Sequence, residues 1–145
     1  KDKVEFHFIG WFEDDYEGLV NDLNSQGIIK FHGLQDDVIP FIKDCHCVVL
    51  PSYHEGMSNV LLEGAAMGRV IITSDIHGCK ESVINKKTGW LCELQNKEDL
   101  YRKIKQFINT SYEEKKYMGI LSRKYMENIF DKNNVVDLTI KEIEK

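Results

Sequence analysis

The chain has 145 residues, 42% of them hydrophobic, which is one domain's worth of sequence with enough apolar side chains for a core. Its 19 basic and 24 acidic residues leave a formal charge of −5, which argues against non-specific binding to nucleic acid. No apolar run approaches the ~20 residues of a membrane-spanning helix, and no secretory signal, internal repeat or low-complexity segment is visible.

In chain order, Val4, Phe6 and Phe8 alternate with Glu5 and His7, which predicts a strand over 4–9 ending at Gly10. Residues 15–27 read as a helix with Leu19, Val20 and Leu23 inward and Gly27 as its stop. A second strand over 29–33 ends at Gly33. Residues 35–44 read as a short helix; Pro40 suits its first turn, and Asp36 and Asp37 sit near its positive end. Cys47, Val48, Val49 and Leu50 form a continuously apolar run, as expected for a strand covered on both faces of a parallel sheet, and Pro51 stops it.

Helical spacing follows from Val60 to Met67, with Ser58 or Asn59 as N-cap and Gly68 as terminator. Residues 70–73 are the next buried strand, and 74–80 the loop after it. A turn over 85–89 leads into a last short strand at 90–92, where Trp90 reads as core rather than as a sugar platform. Asn96 caps a helix with Asp99 as its capping-box partner, and Leu100, Ile104, Phe107 and Ile108 form its inward stripe. Met118, Leu121, Tyr125 and Ile129 mark a second helix; Val136, Ile140 and Ile143 mark a third. The pattern predicts an α/β fold with a parallel sheet and helices on both faces.

The stretch 51–68, PSYHEGMSNVLLEGAAMG, carries the chemistry. Glu55 lies in a loop after a buried strand, and Glu63 follows eight positions later, two turns into the expected helix. Open α/β sheets bind ligands beyond the carboxyl ends of their strands, where this loop falls. The first-turn N–H groups and the helix dipole attract phosphate, and Gly56 lets the backbone come close to it. Ionised carboxylates only accept hydrogen bonds, so a carboxylate on each side of that phosphate suits hydroxyls at both ends of a ligand. Such a ligand is a nucleotide-activated sugar. By spacing alone, two glutamates near a helix start also serve the dipole or simply face water. His77 and Lys80 share the cleft-facing loop and are candidates for sugar and phosphate contacts; exposure to solvent is the alternative for each.

Four cysteines, Cys45, Cys47, Cys79 and Cys92, raise a metal or disulfide reading. The Cys45-His46-Cys47 spacing does not suit zinc, which takes cysteines two to four apart and a second ligand pair. No metal site is expected; reduced thiols and a cytoplasmic location fit better.

With these residues in place, the chain resembles glycosyltransferase family 4, the retaining group with the GT-B fold. The resemblance rests on Glu55 and Glu63 as an E-x7-E pair, on Pro51-Ser52, Glu55-Gly56 and the Leu61-Leu62-Glu63-x-Ala65-x-x-Gly68 helix, and on Val70-Ile71-Ile72, Gly78-x-x-Glu81 and Gly89-Trp90-Leu91 in that order. It implies a Rossmann-like, nucleotide-sugar-binding domain over 1–145, the donor-binding part of a two-domain hexosyltransferase of polysaccharide or glycoconjugate synthesis. It implies further that Glu63 holds the ribose, that Glu55 meets the donor sugar near the reacting carbon, and that Gly56, Met57, Ser58, Asn59 and Val60 line the diphosphate and sugar. His32, Gly33 and Leu34 would pass the nucleobase, and Gly10 would floor the cleft. No cofactor is implied; the substrate is a UDP-sugar or GDP-sugar.

Gly64, Val70 and His77 depart from the family pattern, which favours alanine at the first and proline at the other two. The family's first strand, its basic pair for the diphosphate and its N-terminal acceptor domain have no counterpart here, and the chain does not open on methionine. It therefore reads as a fragment, inactive alone, whose uncovered sheet edge invites self-association. The absent domain would carry any peripheral attachment at the inner face of the membrane, and the last helix, which in the family crosses back to that domain, should fray. A GT-B epimerase or hydrolase and a non-enzymatic α/β binding module are the competing readings.

Overall fold

The computed structural model describes residues 4–12 and 15–145. The chain divides into two compact units, Lys1–Val38 and Ile39–Lys145.

In the first unit, strands β1 (His7–Phe8) and β2 (Lys30–Phe31) pair in parallel, and helix α1 (Glu17–Ser25) connects them. The pairing extends past the strands through Lys30 N–H to Phe6 O (2.8 Å), His32 N–H to Phe8 O (2.9 Å) and Gly10 N–H to Gly33 O (2.9 Å). The strands are shorter than the alternation predicts, and Val4, Phe6 and Phe8 are exposed. Leu19 is exposed as well, so only Val20 and Leu23 of the expected stripe are partly covered. Ile29 is the one buried residue among this unit's described residues. Gly27, at φ +68°, ends α1 as expected.

The second unit holds a three-stranded parallel sheet in the order β3 (Cys47–Leu50), β4 (Val70–Ser74), β5 (Gly89–Cys92). Every residue of the central strand β4 is buried. Its alternation sends Ile71 to one face and Val70 and Ile72 to the other. Ile71 packs with Leu61 and Ala65 of helix α3 (Asn59–Ala66), with Cys79 and Val83, and with Met126 of a later helix. Val70 and Ile72 pack with Trp90 and Met118, backed by Leu100, Ile104 and Phe107 of helix α4 (Lys97–Asn109). Each fully buried aliphatic side chain contributes about 1.5–3 kcal/mol, so this strand carries much of the unit's stability. Thr73, fully buried, donates its hydroxyl to Leu50 O at 2.7 Å and ties β4 to β3.

One boundary, one cap and one burial pattern differ from expectation. Helix α2 spans Ile39–Asp44, not 35–44, so Asp36 and Asp37 precede it; Pro40 still falls in its first turn. Asn96 accepts from Asp99 N–H (2.9 Å), but the Asp99 carboxylate takes Glu93 N–H and Arg102 instead of closing a capping box. Helix α5 (Tyr112–Ile129) buries Met118, Gly119, Ser122 and Met126, while Ile129 is exposed. Helix α6 (Lys132–Ile143) buries nothing; Val135, Val136, Leu138, Ile140 and Ile143 are all exposed.

Candidate functional site

The loop between β3 and α3 meets the loop after β4 at the carboxyl end of the second unit's sheet. Gly78 is the contact point. A Cβ there would stand 2.2 Å from Gly56 O and 2.6 Å from Glu55 O, and Gly78 has φ +86°. Only glycine meets both demands. Gly78 O also accepts Ser58 N–H at 3.0 Å. The glutamate-bearing loop is thus held against its neighbour by backbone.

Glu55 is half-buried, and Ser52 Oγ donates to its Oε1 at 2.8 Å. Gly56, Met57 and Asn59 are exposed, Ser58 is buried, and Val60 is half-buried. Ser58 is the N-cap of α3 by position, but its side chain makes no capping bond. Among the described residues, the first-turn amides of Asn59, Val60 and Leu61 therefore have no side-chain acceptor and stay available to an anion. Glu63 is half-buried on the same helix, and among the described residues its carboxylate has no protein partner. Because α3 begins at Asn59, Glu63 lies just over one turn in, not two. That places it about 6 Å along the axis from the helix start.

His77 and Lys80 flank Gly78. His77 Nδ1 lies 2.8 Å from Glu81 Oε1, with its side chain 84% exposed; Lys80 opens the 3₁₀ turn Lys80–Ser82 and is exposed. Glu81 also accepts Gly78 N–H at 2.9 Å. Burial works to raise the Glu81 carboxyl, but hydrogen bonds from its own amide, from His77 and from Gly78 outweigh it and hold the group below its ordinary value. Glu81 and Ser52 are the residues that the site analysis of the sequence missed. Their signals were the Gly78-x-x-Glu81 and Ser52-x-x-Glu55 spacings, each of which lets a side chain fold back three residues along its own loop.

Gly10, His32, Gly33 and Leu34 belong to the first unit. Gly10 (φ +141°) and Gly33 (φ +66°) take conformations that favour glycine. His32 Nε2 lies 3.0 Å from His7 Nδ1 with the rings stacked, Gln35 Nε2 donates to His32 O, and Leu34 is exposed.

The four cysteines are free thiols; Cys79 and Cys92 are buried, Cys45 and Cys47 partly so. Burial pushes the Cys47 and Cys79 thiols up, and the Glu55 and Glu81 carboxylates add to the rise at Cys79, so both stay protonated at neutral pH. No cluster of three His, Cys, Asp or Glu among the described residues could hold a metal ion. No helix among them is long and apolar enough to cross a membrane.

Parallel strands, covering helices on both faces and a polar loop cluster at the carboxyl ends define an α/β domain with its loops gathered at one end of the sheet. The model of the family of glycosyl transferases group 1 matches residues 1–110, and the chain belongs to that family. It is 32% identical over 104 residues to N,N'-diacetylbacillosaminyl-diphospho-undecaprenol alpha-1,3-N-acetylgalactosaminyltransferase of Campylobacter jejuni, covering 72% of this chain and 28% of that one. It is 31% identical over 94 residues to the capsular polysaccharide biosynthesis glycosyltransferase CapM of Staphylococcus aureus, covering 65% of this chain and 24% of that one. The fold is that of GT-B glycosyltransferases. The crystal structure of Anabaena HepE in complex with UDP superposes with a TM-score of 0.81 at 17% identity, over 95% of this chain and 40% of that one. The chain thus spans about a quarter to two fifths of the relatives it matches.

Proposed function

We propose that this chain is the donor-binding part of a retaining glycosyltransferase, which moves a hexose from a nucleoside diphosphate sugar to an acceptor hydroxyl in cell-surface polysaccharide or glycoconjugate synthesis. The observation that carries the reading is an uncapped helix start with one half-buried glutamate before it and an unpartnered one on it, in a chain of this family. The α3 amides, with Gly56, Met57, Ser58, Asn59 and Val60, receive the diphosphate and the sugar. Glu55, oriented by Ser52, accepts from sugar hydroxyls. Glu63 accepts from the ribose hydroxyls. His77 and Lys80 border the sugar and phosphate, while Gly10, His32, Gly33 and Leu34 serve the nucleobase side. The protein positions the donor and stabilises charge on the departing diphosphate rather than forming bonds of its own.

The relatives support the setting. One acts on a diphospho-undecaprenol-linked sugar by its name, and another serves capsular polysaccharide. A cytoplasmic protein working at the inner face of a membrane, with an acceptor domain beyond this chain, fits those names and the free thiols. The family's basic pair would complete the phosphate site, so the chain by itself is expected to bind donor weakly and to transfer nothing.

Calorimetry with UDP and GDP tests the assignment. HepE crystallised with UDP, which makes UDP the first probe. Glu63→Ala should weaken nucleotide binding at least about ten-fold, the loss of a charged contact worth roughly 1.5–3 kcal/mol. Unchanged affinity in the variant would defeat the ribose role.

A further inference from the structure

The far end of α3 opens on a groove of about 730 Å³ that the donor site does not use. Its floor is the junction of α3 and α5, where the helices touch through glycines: a Cβ on Gly119 would stand 2.2 Å from Gly68 O. Five cations line it, Arg69, Lys115, Lys116, Arg123 and Lys124, against a single carboxylate, Glu127. Glu127 is already paired with Arg123 Nε at 2.6 Å. In a chain of net charge −5 with only three arginines, two of the three line this one groove.

A charged helix face is usually just solvated, but this one is concave and partly preset. Arg123 Nη1 donates to Ala66 O at 2.7 Å and Arg69 Nη2 to Lys43 O at 2.8 Å, so both guanidinium groups are fixed with donors to spare. Arg69 Nε is buried without a hydrogen-bond acceptor among the described residues. Lys116 and Lys124 are exposed and, among the described residues, make no hydrogen bond or ion pair. They sit eight positions apart on the same face of α5 as Ile120. The donor's phosphates do not explain the cluster, because the length of α3, about 12 Å, separates it from the Asn59 amides.

We propose that this groove is an anion site for a ligand presenting clustered phosphate groups, distinct from the sugar-donor site at the other end of α3. Such a ligand meets two anchored guanidinium groups and two exposed ammonium groups at once, each a charge-assisted donor to phosphate oxygen. The phosphates come either from lipid headgroups or from a soluble polyphosphate.

The test uses the whole chain at low salt and compares it with the double variant Lys116→Gln, Lys124→Gln. These side chains hold nothing in the fold, so circular dichroism should be unchanged. One arm measures sedimentation with phosphatidylcholine vesicles with and without phosphatidylglycerol; the other titrates inorganic pyrophosphate by calorimetry. Binding that weakens at least about ten-fold in the double variant, with a shallower salt dependence, supports the site. Vesicle binding alone assigns the headgroup source, and pyrophosphate binding alone the soluble one. No binding in either arm, or binding that the double variant leaves intact, overturns it. UDP binding should be the same in both proteins, so failure here is separate from failure of the donor assignment, which Glu63→Ala reads.

Discussion

At the scale of single residues, the site depends on carboxylates with different duties. Under the proposed function Glu55 and Glu63 serve the donor, whereas Glu81 faces the protein, holding the Gly78 amide and His77. Its carboxyl sits below its ordinary value, so the hydrogen bonds favour the ionised form. The stability it lends is fully present above the ordinary carboxylate value of 4.5 and is lost as pH falls through the lower folded value. The Gly78 amide should therefore keep its near-neutral protection factor to below pH 4.5 and lose it as pH falls through the lower folded value. Glu81→Gln should raise that exchange already at pH 7 and remove the acid step; an unchanged pH profile in the variant would show that another group holds the loop. The E-x7-E pair was legible because its two members sit on one short stretch of chain. The clamp was not, because Gly78 is pressed on Glu55 and Gly56 by folding, more than 20 residues after them in sequence.

At the scale of elements, legibility followed burial. The runs at 47–50 and 70–73 were readable as parallel strands because they are continuous and need no alternation; β4 is buried throughout, whereas β3 leaves Val49 exposed. Residues 4–9 alternate well, yet only His7–Phe8 pair as strand, since the unit around them has few buried partners. Helix propensity also misleads where packing decides. Gly64 reads as a weakness within α3, and alanine there would gain up to about 1 kcal/mol of propensity. Its added Cβ, however, would stand 2.9 Å from Val48 Cγ2 and 3.1 Å from Ile71 Cδ1, with Val48 on the strand below. Overpacking costs about 1–3 kcal/mol, and a β-branched valine has little freedom to yield. Gly64→Ala should lower Tm by a few degrees. A higher Tm would mean that the helix can lift off the sheet. Gly119→Ala should be worse, because the atom in its way, Gly68 O at 2.2 Å, is backbone and cannot rotate aside; thermal melts of the two variants side by side check the order.

At the scale of the molecule, the division at Val38 is not marked by any linker in the sequence, although the charge balance changes there, from 3 basic and 9 acidic residues over 1–38 to 16 basic and 15 acidic over 39–145. What was visible is the unsatisfied surface. Among the described residues β3 pairs only with β4, and Val49 on it is 38% exposed. An uncovered strand edge and an uncovered apolar helix are separate routes to association. Helix α6 offers the second, with Val135, Val136, Leu138, Ile140 and Ile143 all facing solvent. The expectation from the sequence is edge pairing, and the two routes respond to different changes. Light scattering after size exclusion should show a dimer that grows with concentration. Val49→Lys should shift it toward monomer, because a lysine on an edge strand opposes pairing. Removal of residues 132–145 should leave the dimer in place. The reverse pattern would locate the contact on α6, and a monomer at every concentration would show that neither surface is sticky enough to associate.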